Sequence, residues 1–412
     1  MSAPLRIGFV GGGFIARFHI QSLVSVRDCE VAGAASATLK SAEETAALAR
    51  ELAVGRHAKA FESVEAMAAD PGVDALWICA RNDTRLETMR AIQKGAARRG
   101  RPLAGIACEK PLARTLAEAE QVAAIAGGIG APTGYLEDML WAPHLTRGKE
   151  ILWRRGAANA GRPYLARAAE EHGGPHSKWF WQRAIAGGGV LLDMMCHSIE
   201  AARWLLTEPG APRASVTPVK VSATTANLKW TQPKYVALLR ERFGADLDWA
   251  GDPTEDFARA TVHWRTTDGQ ELISETTSSW SYVGAGLRHT FELLGPEYAM
   301  QADLSRQGLE VFFSREVTGS AGEDLVEKQN AEQGLMPVSP DETATYGYQG
   351  ENRHFVRAFR EGNPPELGFA DGVEVMRLLM ACYKSAATDA CVDPRDPALR
   401  EFVPGAGTVS VQ

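Results

Sequence analysis

The chain has 412 residues, too many for one ordinary domain, and its 45% hydrophobic and 23% charged residues predict globular cores rather than disorder. A formal net charge of −7 argues against nucleic acid and anionic membrane surfaces as partners. No apolar run approaches the ~20 residues of a membrane helix.

The N-terminus runs straight into a strand, with no signal-peptide pattern, and a cytoplasmic location is expected. Cys29, Cys79, Cys108, Cys196, Cys382 and Cys391 lack C-x-x-C spacing. They read as buried thiols rather than a disulfide framework or a zinc site. In such a chain the sequon Asn82-Asp83-Thr84 is a coincidence.

The apolar run Ile7–Val10 stops at Gly11-Gly12-Gly13, and helical spacing follows in Phe14, Ile15, Phe18, Ile20 and Leu23. Gly11, Gly13 and Ala16 fill the small positions of the dinucleotide fingerprint G-x-G-x-x-[GA]. The first allows a turn, the second lets backbone approach a pyrophosphate, and the third lets the helix pack on the strand. N–H groups at the helix start, around Phe14 and Ile15, then hold the phosphates.

Strand and helix go on alternating. Glu30–Ala35 reads as a strand and Ser41–Leu52 as a helix opened by a Ser41-x-x-Glu44 capping box. A short strand (58–61), a short helix (63–69), a buried strand (75–79), a helix (84–97) and a strand (103–108) come next. Thr115 then caps a further helix. Repeated βα units predict a parallel, doubly wound sheet with its ligand crevice at the carboxyl ends of the strands. Gly11–Gly13, Ser36, Ala80–Asn82 and Glu109–Pro111 fall at such ends. The acidic residue that grips the ribose of NAD is missing from the end of the second strand, where Ser36, Thr38 and Lys40 stand instead. The balance slightly favours NADP over NAD.

The βα rhythm ends near Thr133–Glu137. A helix (143–153) and a strand (165–169) lead to a polar-aromatic stretch holding Glu171, His172, His176, Trp179 and Trp181. Gly187-Gly188-Gly189 then opens a helix over 190–206. From 215 to 314 long β-type runs with few crossovers predict a largely antiparallel sheet. Residues 319–352 read as a polar loop or arm, and helices over 352–360 and 372–387 close the chain.

Lys110 follows a strand end beside the predicted cofactor cleft, where an amine can donate to a substrate oxygen. Asp193 and His197, four residues apart, share one helix face, so the carboxylate can orient an imidazole suited to proton transfer near neutrality. Taken singly, each has a bland reading: a surface lysine, a helix-start charge, a core histidine. The spacing His172-x-x-x-His176 is that of a metal-binding helix, but Gly173, Gly174 and Pro175 between them exclude a regular one, so no metal is expected.

Taken together, the N-terminal G-x-G-x-x-A, Glu109-Lys110-Pro111 and Gly187-Gly188-Gly189-Val190-Leu191-Leu192-Asp193-x-x-x-His197 resemble the glucose–fructose oxidoreductase / inositol dehydrogenase / rhizopine-catabolism (Gfo/Idh/MocA) family over nearly the whole chain. The resemblance implies an NAD(P)-binding Rossmann domain over 1–135. It implies an α/β domain over 136–412 whose large, mostly antiparallel open sheet binds substrate and builds a homodimer or homotetramer. It implies NAD(P)-dependent oxidation or reduction of a secondary alcohol on a sugar, inositol or related polyol. Lys110, Asp193 and His197 would be catalytic, and Glu171, His172, His176, Trp179 and Trp181 would line the substrate side. Two alternatives remain: a glycosidase or lyase that recycles NAD without net oxidation, and a non-catalytic dinucleotide sensor. The chain departs from the family pattern in the missing strand-2 carboxylate, and in Asn82-Asp83 where a Pro-Asn pair is usual.

Overall fold

Leu5–Val10 is a short apolar run buried on both faces, as a strand inside a parallel sheet requires; it forms β1. The computed structural model describes residues 3–306, 309–315, 317–319, 324–329 and 331–405. These fall into two compact units: Met1–Ala142 with Tyr346–Met376, and Pro143–Thr345 with Arg377–Gln412.

In the first unit β1 is followed by α1 (Phe14–Ser22), β2 (Cys29–Ala35), α2 (Leu39–Glu51), β3 (Lys59–Ala60) and α3 (Val64–Ala69). Then come β4 (Ala75–Ile78), α4 (Arg85–Ala96), β5 (Gly105–Glu109), α5 (Leu116–Ile129) and β6 (Thr133–Leu136). All pairs in this sheet are parallel and the strand order is β3-β2-β1-β4-β5-β6. That is the Rossmann order, in which the chain reverses direction across the sheet between β1 and β4 and leaves a crevice at their carboxyl ends.

One expected helix start is corrected. α2 begins at Leu39, and its cap is Thr38, whose side chain accepts from the Ser41 N–H at 3.1 Å. Ser41 lies inside the first turn, so the expected Ser41–Glu44 box does not form. Thr115 does cap α5, accepting from the Glu118 N–H at 3.3 Å.

The second unit opens with α6 (Pro143–Ile151), which runs through a π-helical turn into α7 (Ala158–Ala160). β7 (Leu165–Glu171), α8 (Arg183–Ala186) and α9 (Val190–Leu206) follow. Next are β8 (Val216–Ala226), α10 (Pro233–Phe243), β9 (Phe257–Thr266), β10 (Glu271–Ser279), β11 (Arg288–Gly295) and β12 (Tyr298–Asp303). Their sheet runs β12-β11-β7-β10-β9-β8. It is antiparallel except where β7 pairs with β10 in parallel. The alternation expected of a one-sided sheet is plain in β9, where Ala258, Ala260, Val262 and Trp264 are buried while Arg259 and Arg265 are exposed. α9 covers the inner face against β7 and β10, and it is apolar nearly all round because it is buried nearly all round. α10 interrupts the expected β region.

The expected arm over 319–352 lies partly outside the described residues. Its described part is not all loop. β14 (Gly334–Pro337) pairs with β13 (Glu310–Phe313), and α11 (Glu342–Thr345) and the start of α12 (Tyr348–Glu361) also fall there. α12 belongs to the first unit, where a Cβ at Gly105 would overlap Phe359 and one at Gly134 would overlap Phe355. These strand glycines let the helix approach the sheet. The division between the units falls within α13 (Phe369–Thr388). Of the cysteines, Cys391 is exposed and Cys29 is half-buried, contrary to the expectation that all are buried; the other four are buried and none forms a disulfide. No described helix is long and apolar enough to cross a membrane.

Candidate functional site

The glycine turn joins β1 to α1. Gly11 has φ +104°, and a Cβ there would stand 2.9 Å from the Cys79 carbonyl oxygen, so conformation and space both demand glycine. Ala16 is fully buried against the core. Gly13 is different. Its backbone is extended (φ −75°), yet a Cβ would meet no described atom within 4 Å. The protein's own packing does not require glycine at this position. α1 also starts without a side-chain cap and without an acidic residue in its first turn. A bare positive helix end beside open space fits a dinucleotide pyrophosphate.

Around that turn, Phe14 is exposed and Ile15 half-buried. At the end of β2, Ser36 Oγ donates to Ser41 Oγ at 3.1 Å, Thr38 is engaged as the α2 cap, and Lys40 is exposed. Residues 36–40 include no carboxylate. Ala80 is half-buried, and Asn82 is buried at the start of a short 3₁₀ turn, Asn82–Thr84.

Lys110 is half-buried at the end of β5. The guanidinium of Arg85, itself buried, donates to the carbonyls of Glu109, Lys110 and Pro111 and so fixes the turn that carries the lysine. The carboxylate of Glu109, an expected cofactor contact, is turned into a buried network. One oxygen pairs with His19 Nε2 at 2.7 Å and the other accepts from the Lys110 N–H at 3.0 Å. Burial would raise this carboxyl group, but the His19 hydrogen bond and the nearby charges of His19, Lys110 and Arg85 hold it below its usual range. Asn352 of α12 completes the network, bonding Ser22 Oγ at 2.8 Å and the Trp77 indole at 2.9 Å.

In the second unit Asp193 and His197 sit one turn apart on α9, the aspartate half-buried and the histidine buried. The start of α9 is held by Glu255. Its Oε1 accepts from the N–H groups of Gly189 (2.9 Å) and Leu191 (3.2 Å), and from the Tyr383 hydroxyl at 2.6 Å. Its main-chain carbonyl takes the Val190 N–H at 3.0 Å. Burial raises the pKa of Glu255, and burial together with the neighbouring Glu255 charge raises that of Tyr383 well above its usual value.

The expected substrate residues part company. Glu171 pairs with Arg288 across the β7–β11 register. His172 is buried and its Nδ1 accepts from the Gly174 N–H at 2.9 Å. His176 is exposed, with Nδ1 2.7 Å from Lys328 Nζ. Trp179 stacks on Phe180 at 3.8 Å between centroids. Trp181 lies within an aromatic cluster with Trp230, Trp249 and Trp280.

Comparison with known proteins agrees with this architecture. "Oxidoreductase family, NAD-binding Rossmann fold" matches residues 5–131, and "Oxidoreductase family, C-terminal alpha/beta domain" matches residues 162–393. The chain belongs to the Gfo/Idh/MocA oxidoreductase family. A relative within it, 1,5-anhydro-D-fructose reductase of Ensifer adhaerens, is 30% identical over 214 residues, 51% of this chain and 59% of that one. That match spans less than two thirds of the relative's length. Levoglucosan dehydrogenase of Pseudarthrobacter phenanthrenivorans is 26% identical over 406 residues, 94% of this chain and 98% of that one. Among solved structures, GenD2 from gentamicin A biosynthesis in complex with NAD superposes with TM-score 0.73 at 25% identity, covering 95% and 97% of the two chains.

Within this family member, sequence reasoning missed Arg85, Glu255 and Tyr383, the groups that hold Lys110 and α9 in place. Arg85 reads as one more polar residue opening α4. Glu255 and Tyr383 are 128 residues apart and carry no shared pattern. The one available signal was a pair of carboxylates, Glu255-Asp256, directly before a strand with an apolar face, where a charge must be paired to be buried.

Proposed function

We propose that the protein is an NAD(P)-dependent oxidoreductase acting on a secondary alcohol of a sugar, inositol or related polyol. The observation that carries this reading is the glycine that its own protein does not need: Gly13, open on its Cβ side at an uncapped helix start. Family membership narrows the chemistry to that of oxidoreductases.

A bound nicotinamide supplies the hydride acceptor or donor. The rest falls to side chains. His197 takes the proton from the reacting hydroxyl, at the imidazole nitrogen that faces it. Lys110, fixed by Arg85, donates to the same oxygen and stabilises its developing negative charge. Asp193, one helical turn before His197, orients the imidazole or the adjacent hydroxyl. Glu171, His172, His176, Trp179 and Trp181 are proposed for the substrate side. Ser36 and Lys40, with no carboxylate beside them, favour NADP over NAD by leaving a 2′-phosphate unopposed. A cytoplasmic homodimer or homotetramer, joined through the second sheet, is the proposed assembly.

The test is a sugar and polyol panel with NAD and with NADP, read at the nicotinamide absorbance. Net accumulation of reduced cofactor is expected, and its absence with every substrate, despite cofactor binding, would turn the reading toward a redox-neutral lyase or a sensor. Lys110→Met and His197→Ala are expected to lower kcat per folded molecule by roughly 10²–10⁴-fold while leaving dinucleotide affinity nearly unchanged. Normal turnover in His197→Ala would assign the proton to another base.

A further inference from the structure

The second unit holds a cavity of about 220 Å³ walled by Trp181, Trp230 and Trp249, with Leu239 of α10 and the exposed carboxylates of Asp248 and Asp252 in its lining. Trp181 meets Trp230 edge-on at 5.2 Å between centroids and Trp249 at 6.4 Å. The N–H groups of the outer two indoles are used by the protein. Trp230 donates to the Trp280 carbonyl at 2.8 Å and Trp249 to the Gly244 carbonyl at 2.9 Å. Two other lining residues, Trp181 and Thr254, are more than nine-tenths buried, and Trp181 Nε1 and Thr254 Oγ1 find no partner among the described residues.

Arg183 and Ala184 lie in the lining, and the segment they begin runs through Gly187–Gly189 into α9. Thr254 directly precedes Glu255, which caps α9. At about 1.5 Å per residue, Asp193 lies only ~5 Å along the helix from its first residue.

We propose that this cavity is a subsite for a second hydroxylated ring, so that the preferred substrate is a glycoside whose non-reacting ring rests on Trp181, Trp230 and Trp249. The inference rests on the sugar-oxidising reading given above. Indole rings offer apolar faces that suit the C–H face of a pyranose. Carboxylates accept from hydroxyls more strongly than neutral groups do. Asp248 and Asp252, with Arg183 Nη2 3.4 Å from Asp252, make the lining too polar for a purely apolar aglycone. The volume falls below the about 300–1,000 Å³ of sites for drug-sized ligands, which matches one ring rather than an oligosaccharide. Binding energy from this remote ring is then available to orient the reacting ring.

The experiment uses the full chain with cellobiose, maltose and methyl β-D-glucoside against glucose. Each is followed by steady-state kinetics and, without dinucleotide, by titration of tryptophan fluorescence. At least one disaccharide is expected to perturb the fluorescence saturably and to exceed glucose in kcat/KM by about 10-fold or more. Leu239→Phe, which fills the cavity, and the exposed Asp252→Asn are expected to raise the disaccharide KM several-fold with the glucose parameters unchanged. Oxidation of disaccharides with no fluorescence response and no effect of either variant overturns the subsite and leaves the oxidoreductase reading intact. A fluorescence response that both variants abolish, with no sugar oxidised, overturns the catalytic reading and supports a sugar site. An equal response to free glucose, abolished by the variants with no change in disaccharide KM, marks a free-sugar site and overturns the link to substrate.

Discussion

Gly11-Gly12-Gly13 leads into α1 and Gly187-Gly188-Gly189 leads into α9, so the same three letters open one helix in each unit. At α1 the last glycine faces open space and the helix start has no side-chain cap. At α9 the space is filled. A Cβ on Gly188 would overlap the Tyr383 hydroxyl, one on Gly189 would overlap the Glu255 main chain, and the carboxylate of Glu255 takes the helix-start N–H groups. The first triplet leaves positive helix-end charge for a ligand; the second spends it on a buried carboxylate. A glycine required by the protein's own atoms and one required by something the protein makes room for cannot be told apart by sequence. The surroundings of the missing Cβ tell them apart.

The contrast breaks most visibly by adding that Cβ. Gly189→Ala forces main chain against main chain and is expected to cost about 3 kcal/mol, enough to threaten folding. The Cβ added by Gly13→Val meets no described atom within 4 Å, so its cost in stability is expected to stay within about 1 kcal/mol. Its dinucleotide affinity is expected to fall by about 100-fold or more, which is near 3 kcal/mol. Chemical denaturation beside calorimetric titration separates the two. Equal cofactor affinity in Gly13→Val would mean that the open space serves something else.

The cap on α9 offers the next largest effect. Glu255→Ala strands the Leu191 N–H and the Tyr383 hydroxyl proton and leaves the Gly189 N–H only the Tyr383 oxygen at 3.2 Å, and a loss of about 2 kcal/mol is expected. Glu255→Gln keeps an oxygen acceptor and is expected to lose less than half of that. In both, kcat should fall with α9 order, because Asp193 lies in the helix's first turn. A Glu255→Ala protein as stable and as active as the wild type would dismiss the cap as incidental.

Much of this was legible beforehand. The βα alternation of the first unit is a local property, and the periods of 3.6 and 2 place nearly every strand and helix of its sheet. Gly11, Gly13 and Ala16 were recognisable because their order relative to strand and helix is fixed by the turn. What was not legible depends on distant partners. Two potential caps stand three residues apart at α2, and the Glu44 pattern pointed to Ser41, whereas the backbone turns soon enough after β2 for Thr38 to reach Ser41 N–H. The return of α12 to the first unit leaves only Gly105 and Gly134 as traces, each readable as an ordinary strand glycine. Trp181 was placed on a substrate face by composition, and only the tertiary arrangement shows it to be the centre of a four-tryptophan cluster.

The smallest expected effect repeats the contrast between filled and open polar sites inside the first unit. Glu109 and Glu351 are both buried near His19, and the fold treats them oppositely. Glu109 takes the direct hydrogen bond from His19 and is held below the usual carboxylate range. Glu351 lies 3.9 Å from the other ring nitrogen. Burial, and then the negative charges of Asp138, Glu109 and Glu137, raises it well above that range. Like charges crowded in one low-dielectric region push their titrations apart, so one carboxylate ionises and the other keeps its proton. The two have opposite effects on stability. The contribution of Glu109 is present above the unfolded carboxylate pKa of about 4.3 and is lost as pH falls through its lower folded value. Glu351 keeps in the folded state a proton that the unfolded chain gives up above about pH 4.3. Its contribution is therefore full below that pH and is lost as pH rises toward the raised folded value. Glu351→Gln is a permanent copy of the protonated form and removes the second slope alone. Its stability should match the wild type near pH 4.5 and exceed it increasingly as pH rises toward 8, read as a difference in denaturation midpoint that widens with pH. A difference that narrows or reverses as pH rises would mean that Glu351 is ionised in the folded protein.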